Sequence, residues 1–230
     1  ERILDEISPD LDAVYLCNPN NPTGRIAQPE LLREIVRKCT ENGVKLVVDE
    51  CFNDFLTDAE RHTRKDLLES NPGLIILRAY TKMYAVPGVR FGWCMTADAA
   101  LIEKLYHAGQ PWNVSVIAQA CAAAAANEPD WATETAKRIA EERRFLSDGL
   151  AACGLTVFPG EANFLLFRSN DTGLHEKLAE HGIMIRNCDN YRGLSAGYYR
   201  VAVKTREASK CLLNAIKLIM ENKGTRFARI

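Results

Sequence analysis

Lys82 is the residue in this sequence best placed for covalent chemistry. It follows an apolar run at residues 74–79 and is itself followed by Met83, Tyr84, Ala85, Val86 and Pro87, so its amine is expected in a partly desolvated cleft. Loss of water disfavours the ammonium form and leaves a usable nucleophile or imine partner. The plainer alternative is a lysine snorkelling out of a loop. Asp49 closes a second apolar run, Val44-Lys45-Leu46-Val47-Val48, and reads either as a site carboxylate or as a strand-end cap. Asn21 stands in a third segment, Asn18-Pro19-Asn20-Asn21-Pro22-Thr23-Gly24, directly after an apolar run at 13–17. Arg90, eight residues after Lys82, is a planar partner suited to a phosphate, or an ordinary surface charge.

The elements that must position these groups follow from periodicity. Short β-branched runs at 13–17, 44–49, 74–79 and 89–95 alternate with helical patterns, the signature of a parallel sheet with helices on its faces. Pro29 opens a helix carrying Leu31, Leu32, Ile35, Val36 and Cys39 at helical spacing, and Gly43 stops it. An open α/β sheet binds its ligand at the carboxyl ends of its strands. Three of these runs therefore deliver an amide, a carboxylate and an amine to one rim. Residues 115–127 are Ala-rich and helical, and 129–153 read as one long charged helix bridging two domains. Beyond it, strands are expected at 155–158, 163–168, 184–186 and 199–203, with helices at 173–181 and 207–222, a smaller α+β domain. The expected division is 1–128, 129–153 and 154–230.

Composition narrows the class. The chain has 230 residues, 29 Lys+Arg against 30 Asp+Glu, and 47% hydrophobic residues, which excludes disordered and collagen-like chains. A net charge of -1 without a basic run argues against nucleic acid or an anionic membrane as partner. No apolar stretch approaches the roughly 20 residues of a membrane-spanning helix, so a soluble protein is expected. The eight cysteines stand singly without a Cys-x-x-Cys pair, as in reduced, cytoplasmic proteins. The four histidines include no pair at metal-ligand spacing, so no metal is expected. The sequence opens on Glu1 without an initiator Met or a signal-peptide pattern and is expected to begin within a longer protein.

Taken together, Asn18-Pro19-Asn20-Asn21-Pro22-Thr23-Gly24, then Asp49-Glu50, then Thr81-Lys82 with Arg90 beyond, resemble the fold-type I pyridoxal-phosphate enzymes of the aspartate aminotransferase superfamily. The resemblance implies the C-terminal part of a large cofactor-binding domain, a mostly parallel sheet with helices on both faces, plus a small α+β domain. It implies pyridoxal 5'-phosphate as cofactor and a homodimer. By this resemblance Lys82 forms the imine with the cofactor, Asp49 pairs with its ring nitrogen, Asn21 meets its ring hydroxyl, and Arg90 binds its phosphate. In the second domain, Ala162-Asn163-Phe164, Ile185-Arg186-Asn187-Cys188 and the segment 197–203 resemble threonine-phosphate decarboxylase, a branch close to histidinol-phosphate aminotransferase. Gln110-Pro111-Trp112-Asn113-Val114 fits the same branch. The resemblance places Arg200 on the substrate carboxylate, makes Arg186 a second anion-binding residue, and adds Asn163 and Asn21 to the substrate site.

Three departures qualify it. Phe52 stands where the family usually has a Tyr, and Ala79 where a Ser or Thr usually helps hold the phosphate, leaving Thr81 as the substitute. The family's N-terminal portion, with its Gly-rich phosphate loop, would precede Glu1. The expected reaction is decarboxylation of threonine phosphate in cobalamin synthesis. The alternatives are transamination by a class I/II aminotransferase, of histidinol phosphate or another amino acid, and a fragment that folds without holding its cofactor productively. A binding module that makes no imine is a further alternative.

Overall fold

In the computed structural model, which describes residues 2–222, the chain divides into two compact units. These are residues 1–21 with 26–136, and residues 22–25 with 137–230. The first unit runs α1 (Arg2–Glu6), β1 (Ala13–Cys17), α2 (Pro29–Glu41), β2 (Lys45–Asp49), α3 (Ala59–His62), β3 (Leu74–Ala79), β4 (Gly92–Met95), α4 (Ala99–Ala108) and α5 (Val116–Ala126). The division between units falls inside the long helix α6 (Pro129–Ala152). The second unit adds β5 (Thr156–Val157), β6 (Phe164–Arg168), α7 (Leu174–Glu180), β7 (Arg186–Asn187), β8 (Tyr198–Ala202) and α8 (Arg206–Asn222).

Helix α2 forms where the pattern predicts it. Pro29 sits in the first turn, where a missing N–H leaves no helical bond unmade. Leu32, Ile35, Val36 and Cys39 share one buried face, which packs on Leu46, Val48, Leu74 and Ile76 of the sheet. Gly43 ends the helix at φ 69°, a left-handed conformation that glycine adopts without strain. The strands lie in the order β1-β2-β3-β4. β1, β2 and β3 are parallel, with Cys17 opposite Asp49 and Asp49 opposite Leu77.

The sheet is mostly parallel, as expected, and its edge strand is the exception: β4 runs antiparallel to β3. The segment between them folds as a turn instead of a crossover helix, and the Tyr80 N–H donates to the Phe91 carbonyl at 3.3 Å. With the chain doubled back, a parallel pairing cannot form. Helix α4 has no counterpart among the predicted elements. Asp98 caps it by accepting from the Leu101 N–H at 2.9 Å, while Ile102, Leu105 and Tyr106 stay exposed. A helix whose apolar residues face outward leaves little core-facing pattern to read.

In the second unit the strands lie in the order β5-β6-β8-β7, all antiparallel. Leu165, Phe167, Tyr199 and Val201 alternate onto one face and bury against Leu146 and Leu150 of α6, Leu174 and Leu178 of α7, and Leu212 and Ile216 of α8. The Tyr199 hydroxyl, buried with its ring, donates to the carbonyls of Thr172 (2.6 Å) and Asp171 (3.1 Å). Residues 22–25 belong to this unit through a close backbone approach. Glu161 N–H donates to the Gly24 carbonyl at 2.7 Å, and a Cβ on Gly160 would lie 2.6 Å from the Thr23 carbonyl oxygen.

Leu150 is fully buried at the centre of this core. Leu150→Ala is expected to cost about 2–5 kcal/mol through lost transfer energy and a residual cavity, read as a lower urea midpoint.

Candidate active site at the strand ends

The carboxyl ends of β1, β2 and β3 are held level by backbone bonds that continue the ladder one step past the strands. Asn18 N–H donates to the Asp49 carbonyl and Glu50 N–H to the Leu77 carbonyl, each at 2.9 Å. The half-buried Asp49 carboxylate is pinned in turn, because its Oδ1 accepts from the Cys51 N–H at 2.9 Å. Such a bond to backbone two residues on is the turn chemistry that suits aspartate at a strand end.

Two thiols report what converges here. The Cys17 thiol is pushed up by burial and then by the Asp49 charge, while a backbone N–H of Asn21 and the Lys82 charge oppose that rise. The Cys51 thiol is pushed up to about 12 by burial, by its hydrogen bond with Asp49 and by the Asp49 charge, with Lys82 again opposing. Asp49 and Lys82 therefore act on the same two sulfurs, and the Asn21 backbone reaches one of them. The Lys82 ammonium lies over the Phe52 ring, 4.7 Å from its centroid.

Lys82 is exposed, which corrects the expected desolvated cleft. The turn after β3 carries the side chain outward, and Phe52 is the aromatic surface beneath it. The turn itself is anchored on both sides. Tyr80 packs against Tyr84 (4.6 Å), Trp93 (4.8 Å) and Phe91 (5.6 Å), and the carbonyl of buried Met83 accepts from Trp131 Nε1 at 3.0 Å. Thr81 is half-buried beside Lys82. Arg90 ends the same loop in a left-handed conformation, φ 61°, and donates from Nη1 to the Pro87 carbonyl at 2.8 Å. Its exposed guanidinium keeps further donors for an anion.

The second unit has its own cluster. Arg186 and Arg200 are direct cross-strand neighbours on β7 and β8. Like charges placed opposite one another destabilise a sheet, and an anion between them would remove that cost. The Arg200 guanidinium lies 5.0 Å from the Phe164 ring centroid. Both arginines oppose the rise that burial imposes on the Cys188 thiol. On β6's leading edge, the Asn163 backbone carbonyl accepts from Val203 N–H at 2.9 Å, while its side-chain Oδ1 is buried without a hydrogen-bond partner among the described residues.

One polar group escaped the sequence reading. Arg78 is an arginine inside the apolar strand β3, and it is buried in a double hydrogen bond with Glu50. A charge within a buried strand demands a partner, and that is the signal that could have found it.

A family model described as aminotransferase class I and II matches residues 1–216, and the chain belongs to that family. Threonine-phosphate decarboxylase from Salmonella typhimurium is 35% identical over 223 residues, covering 96% of this chain and 61% of that protein. The crystal structure of histidinol-phosphate aminotransferase from Clostridium acetobutylicum is 29% identical with a TM-score of 0.87, covering 93% of this chain and 65% of the other. The structure of histidinol-phosphate aminotransferase from Sinorhizobium meliloti in complex with pyridoxal-5'-phosphate is similar in fold, with a TM-score of 0.80 at 24% identity, covering 92% of this chain and 58% of that one. The chain spans less than two thirds of the length of each of these relatives. The cofactor of the family is pyridoxal 5'-phosphate.

The donor set fits that group: a carboxylate for a ring nitrogen, an amine for an aldehyde carbon, and an exposed guanidinium for a phosphate. With its thiol held up to about 12, Cys51 stays protonated through the neutral range and alkylates slowly. Its iodoacetamide rate at pH 8 is expected to fall well below that of exposed Cys211 and to rise about tenfold per pH unit above that, as peptide mass spectrometry would show.

Proposed function

We propose that this chain carries the catalytic machinery of a pyridoxal-phosphate-dependent decarboxylase acting on threonine phosphate, a lyase of cobalamin synthesis. The observation that carries the pyridoxal-phosphate reading is membership of the aminotransferase class I and II family together with the placement of Asp49 at the end of β2, opposite Cys17 of β1, and of Lys82 after β3, over the Phe52 ring. The choice of decarboxylation is supported by the 35% identity to the Salmonella typhimurium decarboxylase. Phe52 supports it too: the position that supplies a phenol in typical aminotransferases here supplies only a ring face.

When bound, the cofactor supplies an electron sink for the pair released as a bond to the substrate α-carbon breaks. Lys82 would hold the cofactor through its amine and would move a proton at the substrate α-carbon. Asp49 would keep a proton on the cofactor's ring nitrogen, as a carboxylate fixed by the Cys51 N–H is oriented to do. Asn21 would donate to the ring hydroxyl, and Arg90 with Thr81 would hold the phosphate. In the second unit, Arg200 would bind the substrate carboxylate, Arg186 the substrate phosphate, and Asn163 would help orient the substrate. Two cross-strand guanidiniums suit a substrate with two anionic groups.

Transamination by an aminotransferase acting on histidinol phosphate is the second reading. It is favoured by the TM-score of 0.87 to the Clostridium acetobutylicum enzyme. The protein is proposed to work as a homodimer in the cytoplasm, in keeping with eight free cysteines.

Product analysis separates the two reactions. Carbon dioxide and aminopropanol phosphate formed without a keto acid are expected, and a strict requirement for 2-oxoglutarate would replace this reading with the second. Borohydride reduction of the protein incubated with pyridoxal phosphate is expected to leave the cofactor's mass on the Lys82 peptide, and Lys82→Ala to abolish it. If the wild-type chain takes up no cofactor under these conditions, it does not hold the cofactor on its own. Arg200→Ala is expected to raise KM roughly 100-fold with a smaller change in kcat, in line with about 1.5–3 kcal/mol for a hydrogen bond to a charged group.

A further inference from the structure

Directly behind Asp49 lies a buried charge cluster with no place in the chemistry above. Glu50 is 1% exposed and Arg78 9%. Glu50 Oε2 accepts from both Arg78 Nη2 (2.8 Å) and Nε (3.0 Å), and Arg78 Nη1 donates to Asp54 Oδ1 at 2.6 Å. Burial pushes the Glu50 and Asp54 carboxyls up, and the Arg78 charge opposes this in both.

The three partners come from two of the segments that carry the candidate site, the stretch after β2 and the end of β3. Glu50 is adjacent to Asp49 at the end of β2. Asp54 lies in the short turn Asn53–Phe55 that follows Cys51 and Phe52. Arg78 is near the end of β3, four residues before Lys82. A buried ion pair is a poor source of net stability, because desolvation offsets most of its attraction. Its geometry is nonetheless directional: Glu50 Oε2 and Asp54 Oδ1 each sit at hydrogen-bond distance from Arg78 and tie the stretch after β2 to β3, while Glu50 Oε1 is buried without a hydrogen-bond partner among the described residues.

We infer that the Glu50–Arg78–Asp54 cluster is a positioning device that fixes the Asp49 carboxylate, the Phe52 ring and the Lys82 turn relative to one another. The device orients residues that the proposed function uses, and to that extent it rests on that reading. The positioning itself is independent of any cofactor and has its own reporter. The Cys51 thiol accepts its environment from Asp49 and Lys82 in the cofactor-free protein, so displacement of Asp49 changes its reactivity.

The test compares wild type with Glu50→Gln, which keeps the shape and one acceptor but removes the charge. Leu150→Ala, in the other unit, serves as a control for destabilisation alone. In cofactor-free protein at pH 8, Glu50→Gln is expected to speed alkylation of Cys51 about tenfold, the effect of lowering a thiol's pKa by one unit. Cys211 and the Leu150→Ala control should keep their rates. In protein titrated with pyridoxal phosphate, the dissociation constant should rise about tenfold and the absorbance maximum of the bound cofactor should shift.

An unchanged Cys51 rate and an unchanged cofactor affinity, with only a lower unfolding midpoint, would overturn the inference and leave the cluster purely structural. Should Glu50→Gln fail to fold, Asp54→Asn at the cluster's edge carries the test: a faster Cys51 rate supports positioning, and an unchanged rate overturns it. A faster Cys51 rate in a chain whose Lys82 never takes up cofactor would uphold the positioning while showing that this chain does not hold the cofactor on its own.

Discussion

The register of three parallel strands is the constraint on which the candidate site depends. Cys17 opposite Asp49, and Asp49 opposite Leu77, bring the carboxyl ends of β1, β2 and β3 to one level. A slip of one residue in β2 would turn Asp49 to the face now occupied by Glu50, and would bring Glu50 to the thiols. Leu46 and Val48 cluster with Leu32, Ile35 and Val36 of α2, and in this register Glu50 follows their face while Asp49 follows that of Val47.

Within that frame the site is an arrangement of few charges. Asp49 is held by a backbone N–H, and Lys82 rests over an aromatic face without a direct carboxylate partner in the described contacts. This leaves the amine accessible to an aldehyde. The rigid parts are the neighbours: the aromatic cluster around Tyr80, and Met83 bonded to Trp131, set the turn from which Lys82 projects.

The second unit meets the same problem by another route. Its antiparallel sheet buries one face against three helices and turns the next residues of β8 to the opposite face, so Arg200 emerges between Tyr199 and Val201, both core residues. Pairing of β7 with β8 then sets Arg186 beside it. Two guanidiniums thus stand side by side on neighbouring strands of this sheet. The two departures from the family pattern, Phe52 and Ala79, both lie in the first unit.

Much of this was legible in the sequence. The 13–17, 44–49 and 74–79 runs, the helix from Pro29, the long helix after Glu128 and the residues Asn21, Asp49 and Lys82 at strand ends all follow from periodicity, glycine and proline punctuation and the chemistry of single side chains. Those signals are local, and a local signal survives in one dimension. Three features belonged to the tertiary structure alone. The antiparallel sense of β4 depends on how residues 80–91 turn, helix α4 presents its apolar residues outward, and the exposure of Lys82 depends on what packs around the turn. The pairing of Arg78 with Glu50 is of the same kind: the sequence shows a charge in an apolar strand, but its partner lies 28 residues away and is identified only when β2 and β3 come together in register.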